Sequence, residues 1–202
     1  MSVRAEWRVV MLSLMVIGAV AAGRAQTARS KPTNEALTFN GDGTQRFKDI
    51  HWPDGFHPER ADMFAHNEIF VHASCEKVFF NIVDAQVWPS WYPNSHNVKL
   101  LNSPDGKLHG ETRFSWDTFG VHIESRVHEF VPSSRIGWFG DGTGMNAYHT
   151  FLLLNRGAKD CHIVTEEVMK GPGAVEFRKK QPDAMHEGHD LWLRTLKRRS
   201  EQ

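Results

Sequence analysis

Between residues 87 and 94 the chain reads Val87-Trp88-Pro89-Ser90-Trp91-Tyr92-Pro93-Asn94. Two prolines fix backbone angles and stop a helix, while two tryptophans and a tyrosine need a large apolar surface to bury against. The chain must therefore bend here and set three aromatic rings against something apolar. A bend of this kind forms one wall or end of a cavity, or a corner that closes a core. The stretch itself fits both.

The surroundings narrow the choice of fold. Ahead of the bend lies an apolar strand pattern and then a helical one, Asn67-Glu68-Ile69-Phe70-Val71-His72-Ala73-Ser74-Cys75-Glu76-Lys77-Val78-Phe79. After it come Gly110-Glu111-Thr112-Arg113-Phe114-Ser115-Trp116, Ile123-Glu124-Ser125-Arg126-Val127-His128-Glu129 and Ile136-Gly137-Trp138. Ala147-Tyr148-His149-Thr150-Phe151-Leu152-Leu153 and Thr165-Glu166-Glu167 complete the series. In this order the fragments resemble the START-like helix-grip superfamily (SRPBCC), in particular its polyketide cyclase/dehydrase and lipid-transport branch. The resemblance covers Glu68 to the C-terminus. It implies an α+β helix-grip fold: a curved antiparallel β-sheet wrapped around a long C-terminal helix, with two short helices near the N-terminal end of the domain. It also implies a mostly apolar cavity between sheet and helix. Cys75 departs from the pattern, standing where the helix start often carries proline.

The chain begins with Arg4 and Arg8, an apolar run from Val9 to Ala22, and small residues ending in Gly23-Arg24-Ala25. That is the order of a secretory signal, and the run is shorter than the ~20 residues needed to span a bilayer. The expected organisation is a signal peptide over 1–25, a flexible polar linker over 26–46, an aromatic, turn-rich extension over 47–67 and the helix-grip domain over 68–202. This predicts a periplasmic or secreted protein with no stable membrane anchor after cleavage. Lys and Arg together number 24, as do Asp and Glu. With no net charge, nothing global draws the chain to nucleic acid. A neutral or modestly polar small molecule is the expected partner.

The two cysteines, Cys75 and Cys161, form an even pair that in an oxidising compartment invites a disulfide. In the fold that the resemblance implies, the first strand pairs with the last, which puts both at one end of the sheet. A bridge would contribute on the order of 3 to 4 kcal/mol in the chain-entropy model. Alternatively, Cys75 shares a helical face with Val78, Phe79 and Ile82 and serves as a small core residue.

From Val121 to Glu129 the pattern is the cleanest strand, with Val121, Ile123, Ser125 and Val127 facing one way and His122, Glu124, Arg126 and His128 the other. Gly140-Asp141-Gly142-Thr143-Gly144 lacks the Lys-Ser/Thr of a phosphate loop and reads as a turn between strands. At the C-terminus, Met185, His189, Trp192, Leu193 and Leu196 fall at helical spacing and form a stripe that would press on the sheet.

The same two-residue alternation sets His149 beside Ala147, Phe151 and Leu153, and Glu166 beside Val164 and Val168. A carboxylate offered to an apolar face must be protonated, paired or hydrogen-bonded, so Glu166 is expected to meet His149 or Arg113, with Glu167 turned outward. The expected cavity lining is Phe114, Trp116, Ile123, Trp138, His149 and Phe151 from the sheet, with Glu166. Met185, His189 and Trp192 complete it from the helix, and Trp88 and Trp91 stand near one end. A lone histidine on an apolar face is more often a satisfied core residue than a base. His186 and His189 lack the His-Glu-x-x-His spacing of a zinc site. Neither a metal nor another cofactor is expected.

One fold hosts carriers, cyclases, dehydratases and receptors, so the resemblance leaves three readings open. The leading one is an exported binding protein for a lipid or an aromatic, polyketide-like molecule. The others are a cyclase/dehydratase-type enzyme using His149 and Glu166 as an acid-base pair, and an interaction module whose core is filled by its own side chains.

Overall fold

A computed structural model describes residues 37–38 and 46–202. The expected signal, 1–25, and most of the expected linker, 26–46, lie outside the described residues. The strands are β1 (Leu37–Thr38), β2 (Met63–Val71), β3 (His96–Leu100), β4 (Arg113–Thr118), β5 (Val121–Val131), β6 (Arg135–Gly142), β7 (Met145–Gly157) and β8 (Asp160–Lys170). The helices are α1 (Cys75–Val83), α2 (Pro172–Lys180) and α3 (Ala184–Ser200), with a 3-10 turn over Ala85–Ser90. All pairings are antiparallel, in the order β1-β2-β8-β7-β6-β5-β4-β3. The first long strand thus closes beside the last, and α3 lies on the sheet: this is the α+β helix-grip arrangement.

The long helix is held by its apolar stripe. Met185, His189, Trp192, Leu193 and Leu196 are all buried, as their spacing predicts. Polar contacts fix its register, because Asn67 Nδ2 on β2 donates to Asp190 Oδ1 at 2.8 Å and to the His186 carbonyl at 3.3 Å. At the C-terminal end Arg199 Nε donates to Asn81 Oδ1 of α1 at 3.1 Å. α1 starts on a Ser74 cap whose hydroxyl accepts from the Lys77 amide, and it buries Val78, Phe79 and Ile82. A Cys75–Cys161 disulfide ties its first residue to the start of β8, with 5.0 Å between the Cα atoms.

The two faces of the sheet do not follow one rule. On β5 the expected alternation holds, with Ser125 and Val127 buried and His122, Glu124 and His128 exposed. Over 147–153 of β7 and 161–169 of β8 nearly every residue is buried, because the aromatic extension covers the convex face there. Ile50, Phe47 and Trp52 pack with Leu152 and Val164. The Trp52 ring lies 6.0 Å from Tyr148 and 6.1 Å from Phe64, and Phe56 lies 5.3 Å from Phe139. β2 itself begins at Met63, so the first strand of the sheet takes up the last residues of the segment read as an extension. Among the described residues, no helix is long and apolar enough to cross a membrane.

The glycine-rich stretch ends β6 and turns at Thr143-Gly144 into β7, and it serves packing. Gly173, at the start of α2, donates its amide to the Gly144 carbonyl at 2.8 Å. A Cβ on Gly173 would stand 2.7 Å from the Thr143 carbonyl oxygen, so only glycine lets α2 approach this turn so closely.

Candidate functional site

Between the sheet and α3 the interior divides into a filled part and an open part. The filled part is aromatic. Trp88, from the proline-rich bend, lies 5.8 Å from Phe114, 5.4 Å from Trp116, 5.9 Å from Trp138 and 5.1 Å from Trp192, and its indole N–H donates to the Ile82 carbonyl. The bend therefore closes a core with Trp88 and borders a cavity with Tyr92, whose ring stacks on Trp192 at 4.5 Å. Beyond these rings lies a cavity of about 50 Å³, bounded by Trp116, Ile123, Trp138, Trp192, Met145 and Met169 among others. Phe119, Val121 and Phe177 mark its solvent side, being half-buried, and the rings of Phe119 and Phe177 meet edge to face at 5.7 Å.

Three titratable side chains converge on this wall: His149 of β7, Glu167 of β8 and His189 of α3. The register sets His149 directly opposite Glu167, which puts both on the concave face. The helix stripe brings His189 down onto them. Glu167 Oε2 stands 2.9 Å from His189 Nε2 and 3.9 Å from His149 Nδ1. The two imidazoles stack at 4.6 Å, 12° from parallel. The pairing of protons follows from the partners. Thr165 donates its hydroxyl proton to the Thr150 carbonyl at 3.0 Å, so at 2.8 Å it accepts from His149 Nε2–H. His149 Nδ1 is then a bare lone pair on the Glu167 side. Burial, and secondarily the neighbouring His189, hold His149 well below the usual imidazole range, which keeps it neutral. Burial likewise pushes the Tyr92 phenol upward, against the hydrogen bond from Asn94 and with a smaller push from Glu167.

Two polar atoms of the wall lack a hydrogen-bonding partner although buried: His189 Nδ1 and Trp192 Nε1. Buried polar groups are normally satisfied, so such a cluster beside a cavity is what a site built for a ligand with polar groups of its own requires.

Of the residues expected in the lining, Trp116, Ile123, Trp138, His149, His189 and Trp192 border the cavity. Phe114, Phe151 and Trp88 stand behind them in the packed core. Met185 joins a second cluster with Met63, Ala65 and Ala174. Trp91 is half-buried and lies beside Arg199, whose guanidinium is 5.9 Å from its ring.

The expected His149–Glu166 pair is not formed. Glu166 is fully buried on the opposite, convex face, where Oε1 accepts from the Phe47 amide at 2.6 Å and meets His66 Nδ1 at 2.7 Å. Arg113, the other partner considered, is exposed on β4. It is Glu167, expected to point outward, that faces the cavity. The error has a physical cause. Apolar neighbours mark the inner face only where the outer one meets water; Val164 and Val168 are buried under the extension, so both faces of β8 look apolar. The antiparallel partner of His149 was the signal that could have corrected it. Phe119 and Phe177 were missed because they sit on a hairpin turn and the weakly amphipathic α2, where periodicity says nothing, whereas Tyr92 lies in the bend expected to form a cavity wall or a core corner.

No protein-family model matches the chain, and no curated protein matches it. Solved structures do. A hypothetical protein from Helicobacter pylori is 30% identical over 77% of this chain and 98% of its own, with a TM-score of 0.70. A START superfamily protein from Mycobacterium smegmatis is 14% identical, covering 66% of this chain and 98% of its own, with a TM-score of 0.50. An aromatase/cyclase from a Streptomyces species is 12% identical, covering 65% and 92%, also with a TM-score of 0.50. The last two speak to the fold alone.

Proposed function

We propose that this chain, which belongs to the START-like helix-grip superfamily (SRPBCC), binds a hydrophobic small molecule between the sheet and α3 and orients it through polar groups on one wall. One observation carries the reading: an aromatic-walled cavity whose single polar cluster, His149, Glu167 and His189, stands among buried atoms that have no partner. The ligand is accordingly an apolar, lipid or aromatic and polyketide-like molecule with a few oxygen atoms. A cavity of about 50 Å³ is well below the ~300–1,000 Å³ of filled ligand sites, so uptake requires Phe119 and Phe177 to part. Export to an oxidising compartment belongs to this proposal, supported by the signal-like residues 1–25 and by the pairing of the two cysteines.

Native mass spectrometry of protein from the exported fraction, followed by solvent extraction, tests it. A stoichiometric apolar molecule is the expected result. Protein that stays empty, with tryptophan fluorescence indifferent to apolar probes, would leave the filled-core module. A second reading, an enzyme of the cyclase/dehydratase type, is favoured by one feature, the convergence of two imidazoles and a carboxylate inside an apolar cavity. Its pair is His149 with Glu167, and a product formed from an added polyketide-like substrate, lost in Glu167→Gln with binding kept, would establish it.

A further inference from the structure

We infer that His149, Glu167 and His189 form a binding site for one divalent cation of the zinc class, at the sheet side of the cavity. Along the sequence the histidines offered no ligand spacing, because the three groups come from β7, β8 and α3. The fold brings one ligand atom from each to within 4.8 Å of the others, the one such group of three among the described residues. Two imidazoles and one carboxylate suit zinc and its neighbours, and three protein ligands leave a coordination position open to the cavity.

The surroundings are those of a ligand set. Both histidines are more than nine-tenths buried, at 4% and 2% exposure. His149 is fixed through its far nitrogen by the Thr165–Thr150 relay, so its free lone pair, on Nδ1, is the one directed toward Glu167. That is the role an outer-shell partner plays for a metal-bound histidine: it sets the tautomer and the ring direction. A lone pair facing a carboxylate at 3.9 Å is mutually repulsive until something positive lies between them. A dication answers both groups at once.

Metal bonds of about 2.0–2.2 Å in a tetrahedral set imply ligand atoms roughly 3.3 Å apart. Glu167 Oε2 is slightly too near His189 Nε2 at 2.9 Å and slightly too far from His149 Nδ1 at 3.9 Å. Closing on one ion needs the His189 ring to tilt out of its stack with His149. The ion takes the Nε2 lone pair of His189, so the one ring proton that now points at Glu167 moves to Nδ1, which has no other partner. The inference stands apart from the hydrophobic ligand, since it is read with metal alone.

The test is titration of chelator-treated full-length protein with Co²⁺, followed by visible absorption, with Zn²⁺ competition by calorimetry. One ion per chain with a low-symmetry cobalt band is expected. Glu167→Gln and His189→Gln should each weaken binding by roughly 100-fold, and Thr165→Val by roughly tenfold with the cobalt band retained. His122→Gln, on the exposed face of β5, should change nothing. Circular dichroism verifies folding, and His189→Gln carries the test should Glu167→Gln not fold. No stoichiometric site, or one that survives both substitutions or is lost in His122→Gln, overturns the inference. Retention of hydrophobic ligand by a protein that binds no metal would sink this site and leave the proposed function standing.

Discussion

Glu166 and Glu167 are neighbours on one strand, and each lies against histidine, yet they do different work. Glu166 sits on the convex face, fully buried, between His66 and the Phe47 amide that begins the covering segment. Glu167 sits on the concave face, in reach of two imidazoles, beside a cavity. The first is enclosed by protein groups and fastens the extension to the sheet. The second borders space. Residue type and strand position were nearly identical, so what separates a fastening from a candidate site is what lies in front of the carboxylate.

The largest expected effect follows from that contrast. Glu166→Gln keeps an acceptor for His66 and the Phe47 amide but puts an amide NH2 where the buried Oε2 has no partner, and should cost up to about 3 kcal/mol of folding stability, the penalty for an unsatisfied buried donor. Glu167→Gln keeps an acceptor for His189 and should cost under about 1 kcal/mol. Urea denaturation of both variants measures the difference. Equal losses would erase the distinction between the two faces.

A smaller effect sharpens it from the side of the extension. Trp52→Ala removes a half-buried ring lying against Phe64 and Tyr148, and should cost about 2 kcal/mol, roughly half the penalty for a fully buried tryptophan. Uptake of 1-anilinonaphthalene-8-sulfonate by the cavity should stay unchanged, because Trp52 lies on the other side of the sheet. The concave counterpart is Gly188 of α3, where a Cβ would overlap the ring of Phe119. Gly188→Ala gains up to about 1 kcal/mol of helix propensity while displacing that ring, so net stability should move little. Probe association, read by stopped-flow tryptophan fluorescence, should quicken roughly threefold or more as the solvent side opens. A rate equal to that of the unaltered protein would mean that Phe119 does not control entry.

The fold was legible in the sequence wherever one face of an element met water. The α3 stripe at Met185, His189, Trp192 and Leu196 was read correctly, because its opposite side is exposed and charged. The alternation of β5 was read correctly for the same reason. β8 was not, because a covered strand carries no polar face to mark the outside, and Glu166 and Glu167 were interchanged. The bend at Trp88 was ambiguous between wall and corner, and it is both: Trp88 fills the core and Tyr92 borders the cavity. Half of the candidate site was therefore visible as residue types. Its geometry was not, since His149, Glu167 and His189 meet only through register and helix docking.

The smallest expected effect lies farther along the convex face, where Glu68 of β2 accepts from His162 Nε2 at 2.8 Å on β8. That hydrogen bond, opposed by partial burial and helped by the charges of His162 and His66, holds the Glu68 carboxyl below its ordinary 4.5. A depressed folded-state value means that the carboxylate form favours the native protein. Its contribution is complete above the unfolded value near 4.5 and disappears as pH falls through the lower, folded one. The group is partly solvated, so the contribution should stay under about 1 kcal/mol. Thermal unfolding of Glu68→Gln against the unaltered protein should show a gap at pH 6 that narrows steadily below pH 4.5. A gap that is constant across this range would mean that Glu68 acts by packing rather than by charge, and the convex face would then owe its stability to the extension and the Glu166 contact alone.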